Sequence, residues 1–129
     1  MIRVAICDDS EFMRKETDKA LFDYCMEKDV DYTAKQFESG ESLLKEVTDF
    51  DLIFLDPPYR MTDLLEVSER LLSLVAEDGL IIVEHEAGQT VSFSPQYEKM
   101  DERKWGFCGM SFYRIADTES EQTEAGVIR

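Results

Sequence analysis

Phe50-Asp51-Leu52-Ile53-Phe54-Leu55-Asp56-Pro57-Pro58-Tyr59 is the stretch that decides the fold. The apolar run from Leu52 to Leu55 sits between two aspartates. It is too short for the core face of a helix and lacks the alternation of a half-exposed strand, so it reads as a strand covered on both faces. Pro57 and Pro58 stop it, because neither ring can donate to a β-ladder and both fix φ. The strand therefore ends on a carboxylate, Asp56, with the ring of Tyr59 just beyond.

Upstream, Arg3-Val4-Ala5-Ile6-Cys7 is a second apolar run, closed by Asp8-Asp9-Ser10. That pattern predicts a strand followed by a helix capped at Ser10 or Asp9. Met13, Thr17, Ala20, Leu21, Tyr24 and Cys25 recur at helical spacing and predict a helix of about four turns ending at Lys28. Tyr32 to Phe37 reads as a strand, and Ser39-Gly40-Glu41-Ser42 opens a short helix through Leu43, Leu44 and Val47. Downstream, Leu64, Leu65, Ser68, Leu71, Leu72 and Val75 mark a helix ended by Glu77-Asp78-Gly79. Leu80 to Val83 reads as another covered strand, and Ala87 to Pro95 as a long polar loop. Tyr97 to Trp105 and Met110 to Ile115 alternate as an antiparallel pair joined through Gly106 and Gly109.

Strands separated by helices predict an α/β protein: a three-layer, doubly wound, mostly parallel sheet. In such sheets chemistry gathers at the carboxyl ends of the strands, so Asp8, Asp9, Asp56 and Glu84 are expected to converge. Residues 1–116 read as a single domain, and residues 117–129 as a loosely held acidic tail.

The chain carries a formal charge of −15 and a pI near 4.3, and both halves share the acidic excess. That balance argues against a broad basic surface, so nucleic acid is not an expected partner. Cys7, Cys25 and Cys108 are odd in number and widely spaced, which fits reduced, mostly buried thiols and neither a zinc site nor a disulfide framework. No apolar run reaches the length of a membrane span, and Met1-Ile2-Arg3-Val4 leads into a strand and not a signal peptide; no membrane partner and a cytoplasmic setting are expected. His85, the one histidine, stands among acids with no nucleophile beside it and reads as structural. Trp105, Phe107, Phe112 and Tyr113 read as hairpin aromatics that cover a core.

Residues 1–56 resemble the receiver domain of two-component response regulators, in particular those that precede LytTR-type DNA-binding domains. The likeness rests on Val4-Ala5-Ile6-Cys7-Asp8-Asp9, on Phe37-Glu38-Ser39-Gly40-Glu41-Ser42-Leu43-Leu44, and on Phe50 to Asp56. It implies a phosphoacceptor at Asp56 and a weak Mg²⁺ site formed by Asp8, Asp9 and Asp56. Carboxylates meeting at strand ends repel one another unless a cation or protons relieve them, which favours such a metal independently. Otherwise Asp8 and Asp9 simply cap the first helix near its positive end. The phosphoryl-switch residues of that family are missing, because Val83-Glu84-His85-Glu86 offers no hydroxyl and no lysine occurs between Lys45 and Lys99.

Residues 50–115 resemble the C-terminal half of RsmD-like methyltransferases, which modify a guanine exocyclic amine in small-subunit ribosomal RNA with S-adenosylmethionine. The matching blocks are Asp51 to Arg60, Leu80 to Glu86, Arg103-Lys104-Trp105-Gly106 and Ser111-Phe112-Tyr113-Arg114. The resemblance implies that Asp56 and the backbone at Pro57 and Pro58 hold the target amine while Tyr59 stacks on the base. The family's glycine-rich donor loop has no counterpart in Asp8-Asp9-Ser10-Glu11-Phe12, which argues against S-adenosylmethionine binding.

Together the two likenesses predict a hybrid, engineered or recombined, with a receiver-like half (1–56) and a methyltransferase-like half (50–115) joined at the strand before Asp56. The expected sheet is a flavodoxin-like and Rossmann-like hybrid of order 2-1-3-4-6-5, with strand 6 antiparallel. The expected function is that of a folded chimera without a complete active site or catalytic turnover. Two alternatives stand beside it: a degenerate receiver with a Mg²⁺-dependent phosphoacceptor at Asp56, and an S-adenosylmethionine-dependent methyltransferase of ribosomal RNA guanine amines.

Overall fold

The computed structural model describes residues 1–56 and 63–116, which build a mixed six-stranded sheet flanked by helices. The strands are β1 (Ile2–Asp8), β2 (Tyr32–Phe37), β3 (Phe50–Asp56), β4 (Val75–Glu86), β5 (Tyr97–Trp105) and β6 (Cys108–Ile115). The helices are α1 (Glu11–Lys28), α2 (Gly40–Leu44) and α3 (Asp63–Arg70). The strand order is β2-β1-β3-β4-β6-β5, the order expected. β1, β2, β3 and β4 run parallel, and β6 lies antiparallel to both β4 and β5. The acidic tail and Pro57, Pro58 and Tyr59 lie outside the described residues.

Local signals place the helices. Ser10 keeps an extended backbone and accepts from the Met13 N–H at 3.2 Å, which starts α1 where the capping rule puts it. Asp29 ends it in the left-handed region, at φ 57°, with its N–H turned back on the last carbonyls of the helix. Ser39 opens α2 in the same way, accepting from the Ser42 N–H at 3.2 Å. α2 stops at Leu44 and does not reach Val47, because the N–H groups of Lys45 and Glu46 bond three residues back and close the helix early. Val47 is left 94% exposed.

One face of the sheet carries the core. Ala5, Cys7, Ile53, Leu55, Ile81 and Val83 pack there against Leu43 of α2, Leu64 of α3, and Leu71 and Leu74. Phe93 in the loop before β5 stacks on Tyr113, with centroids 4.0 Å apart and planes 18° from parallel. The loop from Ala87 is irregular as expected, yet its end is fastened to α3. The fully buried Ser68 hydroxyl accepts from the Ser94 N–H at 2.9 Å, and the Tyr97 hydroxyl donates to the Ser68 carbonyl at 2.8 Å. No helix among the described residues is long and apolar enough to cross a membrane.

The helix expected to run through Val75 ends at Arg70. A 3-10 turn covers Leu71–Leu74, and Val75 already belongs to β4. Val75 pairs with Phe50 while Leu80 pairs with Leu52, so β4 makes an excursion through Ala76 to Gly79 that β3 does not match. The fold-back brings Gly79 against its own strand: a β-carbon there would lie 2.8 Å from Val75 Cγ1 and 2.9 Å from the Ala76 carbonyl oxygen. Gly79→Ala is therefore expected to destabilise the chain by about 1–3 kcal/mol. Chemical denaturation checks this, and an unchanged midpoint would show that the excursion is not closely packed.

Candidate active site

Parallel register builds the site. Asp8 stands opposite Asp56 at the ends of β1 and β3, and Glu84 follows the Leu55–Val83 pair by one residue on β4. Three of the four acidic side chains expected to converge thus meet at the carboxyl end of the sheet. Asp8 is only 7% exposed. One of its carboxylate oxygens accepts from the Ser10 N–H at 2.9 Å. Its carbonyl accepts from Arg14 Nη1 at 2.7 Å, and Arg14 Nε donates to Gln36 Oε1 at 3.3 Å, so Arg14 ties the end of β1 to β2. Asp9 is exposed and adds charge to the site without joining the buried group.

Burial lifts the Asp56 carboxyl from its ordinary value to about 7. The Glu84 charge adds to the rise, followed by the adjoining Asp8 carboxyl, which hydrogen-bonds to it and repels it, and by Asp9. Glu84 is raised as well, by burial and then by Asp8, with His85 opposing. The Cys7 thiol is pushed up to about 12, chiefly by burial, which makes it a packing group and not a nucleophile.

The carboxylates close one end of a cavity of about 570 Å³ between α1 and the sheet. Ile6, Leu52, Phe54 and Ile82 give it apolar walls. The cavity is therefore mostly apolar, with carboxylates from the strand ends and from Glu16 of α1 and no basic residue among the described residues that line it.

His85 occupies the opposite face of β4 from Glu84. Its Nδ1 lies 2.7 Å from the Glu86 carbonyl, so that nitrogen carries the proton and donates. Nε2 then accepts from the Ser111 hydroxyl at 2.8 Å. Gly109 makes room for the ring, since a β-carbon there would lie 2.7 Å from His85 Cε1. This is the structural role expected of His85. Of the hairpin aromatics, Tyr113 is buried, but Trp105 and Phe107 are exposed and cover no core. Arg14 went unnoticed in the sequence because its place depends on how α1 docks on β1; a basic residue one turn inside a helix that follows an acid-ended strand was the available signal.

The Mg²⁺ site expected at Asp8, Asp9 and Asp56 does not form. Among the described residues no three His, Cys, Asp or Glu side chains are arranged to hold a metal ion. Asp9 faces out, and Asp8 already spends an oxygen on the Ser10 amide.

The described residues thus form a Rossmann-like sheet with the antiparallel β6 beside β4 and an acidic site at its carboxyl end. The chain belongs to the family described as Conserved hypothetical protein 95, whose model matches residues 10–114. Its fold resembles that of the methyltransferase candidate yhhF of Escherichia coli, at 19% identity and TM-score 0.58, over 90% of this chain and 78% of that one. A methylase candidate of Haemophilus influenzae aligns at 20% identity and TM-score 0.54, over 89% and 73% of the two chains. A conserved hypothetical protein of Streptococcus pyogenes aligns at 16% identity and TM-score 0.57, over 87% and 84%. No curated protein matches the chain.

The family match corrects the hybrid reading. It begins in the β1–α1 connection and runs without interruption across β3, so one family accounts for both halves. The receiver-like origin of residues 1–56, the flavodoxin-like contribution to the sheet and the phosphoacceptor role of Asp56 fall with it. So does the inactive chimera, which rested on two incomplete parents. The exclusion of S-adenosylmethionine, drawn from the glycine-free β1–α1 loop, also falls, because the family match runs from that connection through both halves.

Asp56 supplies a direct check on these electrostatics. Its raised folded-state value means that the neutral form is favoured on folding, so its contribution to stability is full below pH 3.8 and lost as pH rises through about 7. Asp56→Asn is expected to raise the melting temperature over the parent at pH 8 and to leave it nearly unchanged at pH 4. An equal change at both values would show that Asp56 is not held neutral by its surroundings.

Proposed function

We propose that the chain is an S-adenosylmethionine-dependent methyltransferase acting on an exocyclic amine of a nucleobase, with guanine in ribosomal RNA as the substrate implied by the RsmD-like likeness. The observation that carries this reading is Asp56. It closes the central strand of a sheet belonging to this family, faces the half-buried end of a cavity, and is followed in sequence by Pro57-Pro58-Tyr59.

The cavity's chemistry suits the donor: apolar walls for a heterocycle, and carboxylates for a sulfonium and an ammonium group. When bound, S-adenosylmethionine supplies an activated methyl group. Asp8, Asp56 and Glu84 supply the negative potential that holds a cation, and a cation there returns Asp56 toward its charged form.

Asp56 accepts a hydrogen bond from the target amine and turns the nitrogen lone pair toward the cavity. With a value of about 7 it is also matched to take the proton the amine sheds after transfer. Tyr59 provides the ring on which an unstacked base rests. A cytoplasmic setting fits this reading.

Equilibrium dialysis with labelled S-adenosylmethionine tests the donor site. Saturation near one equivalent is expected; no retention by folded protein would overturn the proposal.

A further inference from the structure

We propose that the tip of the β5–β6 hairpin is a stacking contact for unpaired RNA bases flanking the target nucleotide. This rests on the reading of the Asp56 site given above. Trp105 and Phe107 flank Gly106, whose φ of 59° makes the tight turn between the strands. Trp105 is 57% exposed and Phe107 95% exposed, so the fold spends two aromatic rings where they contribute nothing to its core.

Register places the tip on the functional end of the sheet. Trp105 pairs with Cys108, Cys108 pairs with Glu86, and the Ala87 N–H donates to the Phe107 carbonyl at 2.9 Å. Glu86 lies just past Glu84, at the same carboxyl end as Asp56. Three strand spacings separate β3 from β5, which sets Trp105 about 15 Å to the side of Asp56. A strand of RNA that delivers a base to Asp56 passes the tip within the roughly 4–16 nucleotides that single-strand sites engage.

The surroundings favour bases over a protein partner. The exposed residues along β5 before the tip are Glu98, Lys99, Met100, Asp101, Arg103 and Lys104, so charged side chains separate the rings from the exposed Met100. The cations are largely engaged: Arg103 Nε binds Asp101 Oδ2 at 2.8 Å, Lys99 pairs with Glu102, and Lys104 lies 3.8 Å from Glu102. In a chain of charge −15, contact with RNA here depends on stacking, which tolerates an acidic protein, more than on phosphate neutralisation.

Trp105 is the one tryptophan of the chain and reports directly on its own contact. Titrating the full chain with a short unpaired purine-rich RNA is expected to quench its fluorescence saturably, with a shallow dependence on salt. Phe107→Ala should weaken that binding about tenfold or more. Trp105→Ala with Phe107→Ala should leave retention of S-adenosylmethionine in dialysis unchanged. RNA binding without quenching, equal affinity in Phe107→Ala, or no RNA binding would overturn the tip contact while leaving the donor site standing. Loss of donor retention in the parent chain would instead strike the Asp56 reading. A dimer seen in sedimentation and abolished by Phe107→Ala would reassign the tip to self-association.

Discussion

Three acidic side chains forced side by side are the constraint on which the rest of this molecule turns. Parallel pairing of β1 with β3 sets Asp8 against Asp56, and β4 adds Glu84. Each follows a buried core residue, Cys7, Leu55 or Val83, at or near the end of its strand. The repulsion is met in two ways. The Ser10 amide satisfies one oxygen of Asp8, and Asp56 is held toward its neutral form. A cation entering the adjoining cavity would be the third, the role proposed for the sulfonium donor.

The remainder of the fold keeps that arrangement rigid. Ser68 binds both Ser94 and Tyr97, so α3 and the start of β5 are joined through one buried residue. His85 is fixed by the Glu86 carbonyl and the Ser111 hydroxyl, with Gly109 beneath the ring, which fastens β4 to β6 immediately behind Glu84. Buried polar groups satisfied on every side favour one register over its alternatives. The same hairpin that braces β4 extends its tip beyond the carboxyl end of the sheet, where it can meet what the site acts on.

Much of this was legible in the residues. The covered runs Leu52 to Leu55 and Leu80 to Val83, the caps at Ser10 and Ser39, and the Gly106 turn all lead to the observed sheet, and strand ends bring Asp8, Asp56 and Glu84 together. What was not legible depended on tertiary choice. The helical spacing from Leu64 continues through Val75, but pairing with Phe50 takes that residue for β4. Alternation along the hairpin shows which residues share a face and not whether anything covers it, so the exposure of Trp105 and Phe107 was hidden. Asp8-Asp9 after a strand and Ser39-Gly40-Glu41-Ser42 before a helix are capping devices open to any doubly wound sheet. Read as a family signature they led to a receiver, and only a match running across β3 corrects them.

The central claim is that Asp56 anchors methyl transfer to a nucleobase amine. Its most direct test is nucleoside mass analysis of small-subunit ribosomal RNA incubated with the chain and S-adenosylmethionine. The account predicts a methylated guanosine that depends on the parent chain and is lost in a folded Asp56→Ala variant. No methylated nucleoside above the enzyme-free control, from a chain that retains the donor, would contradict it.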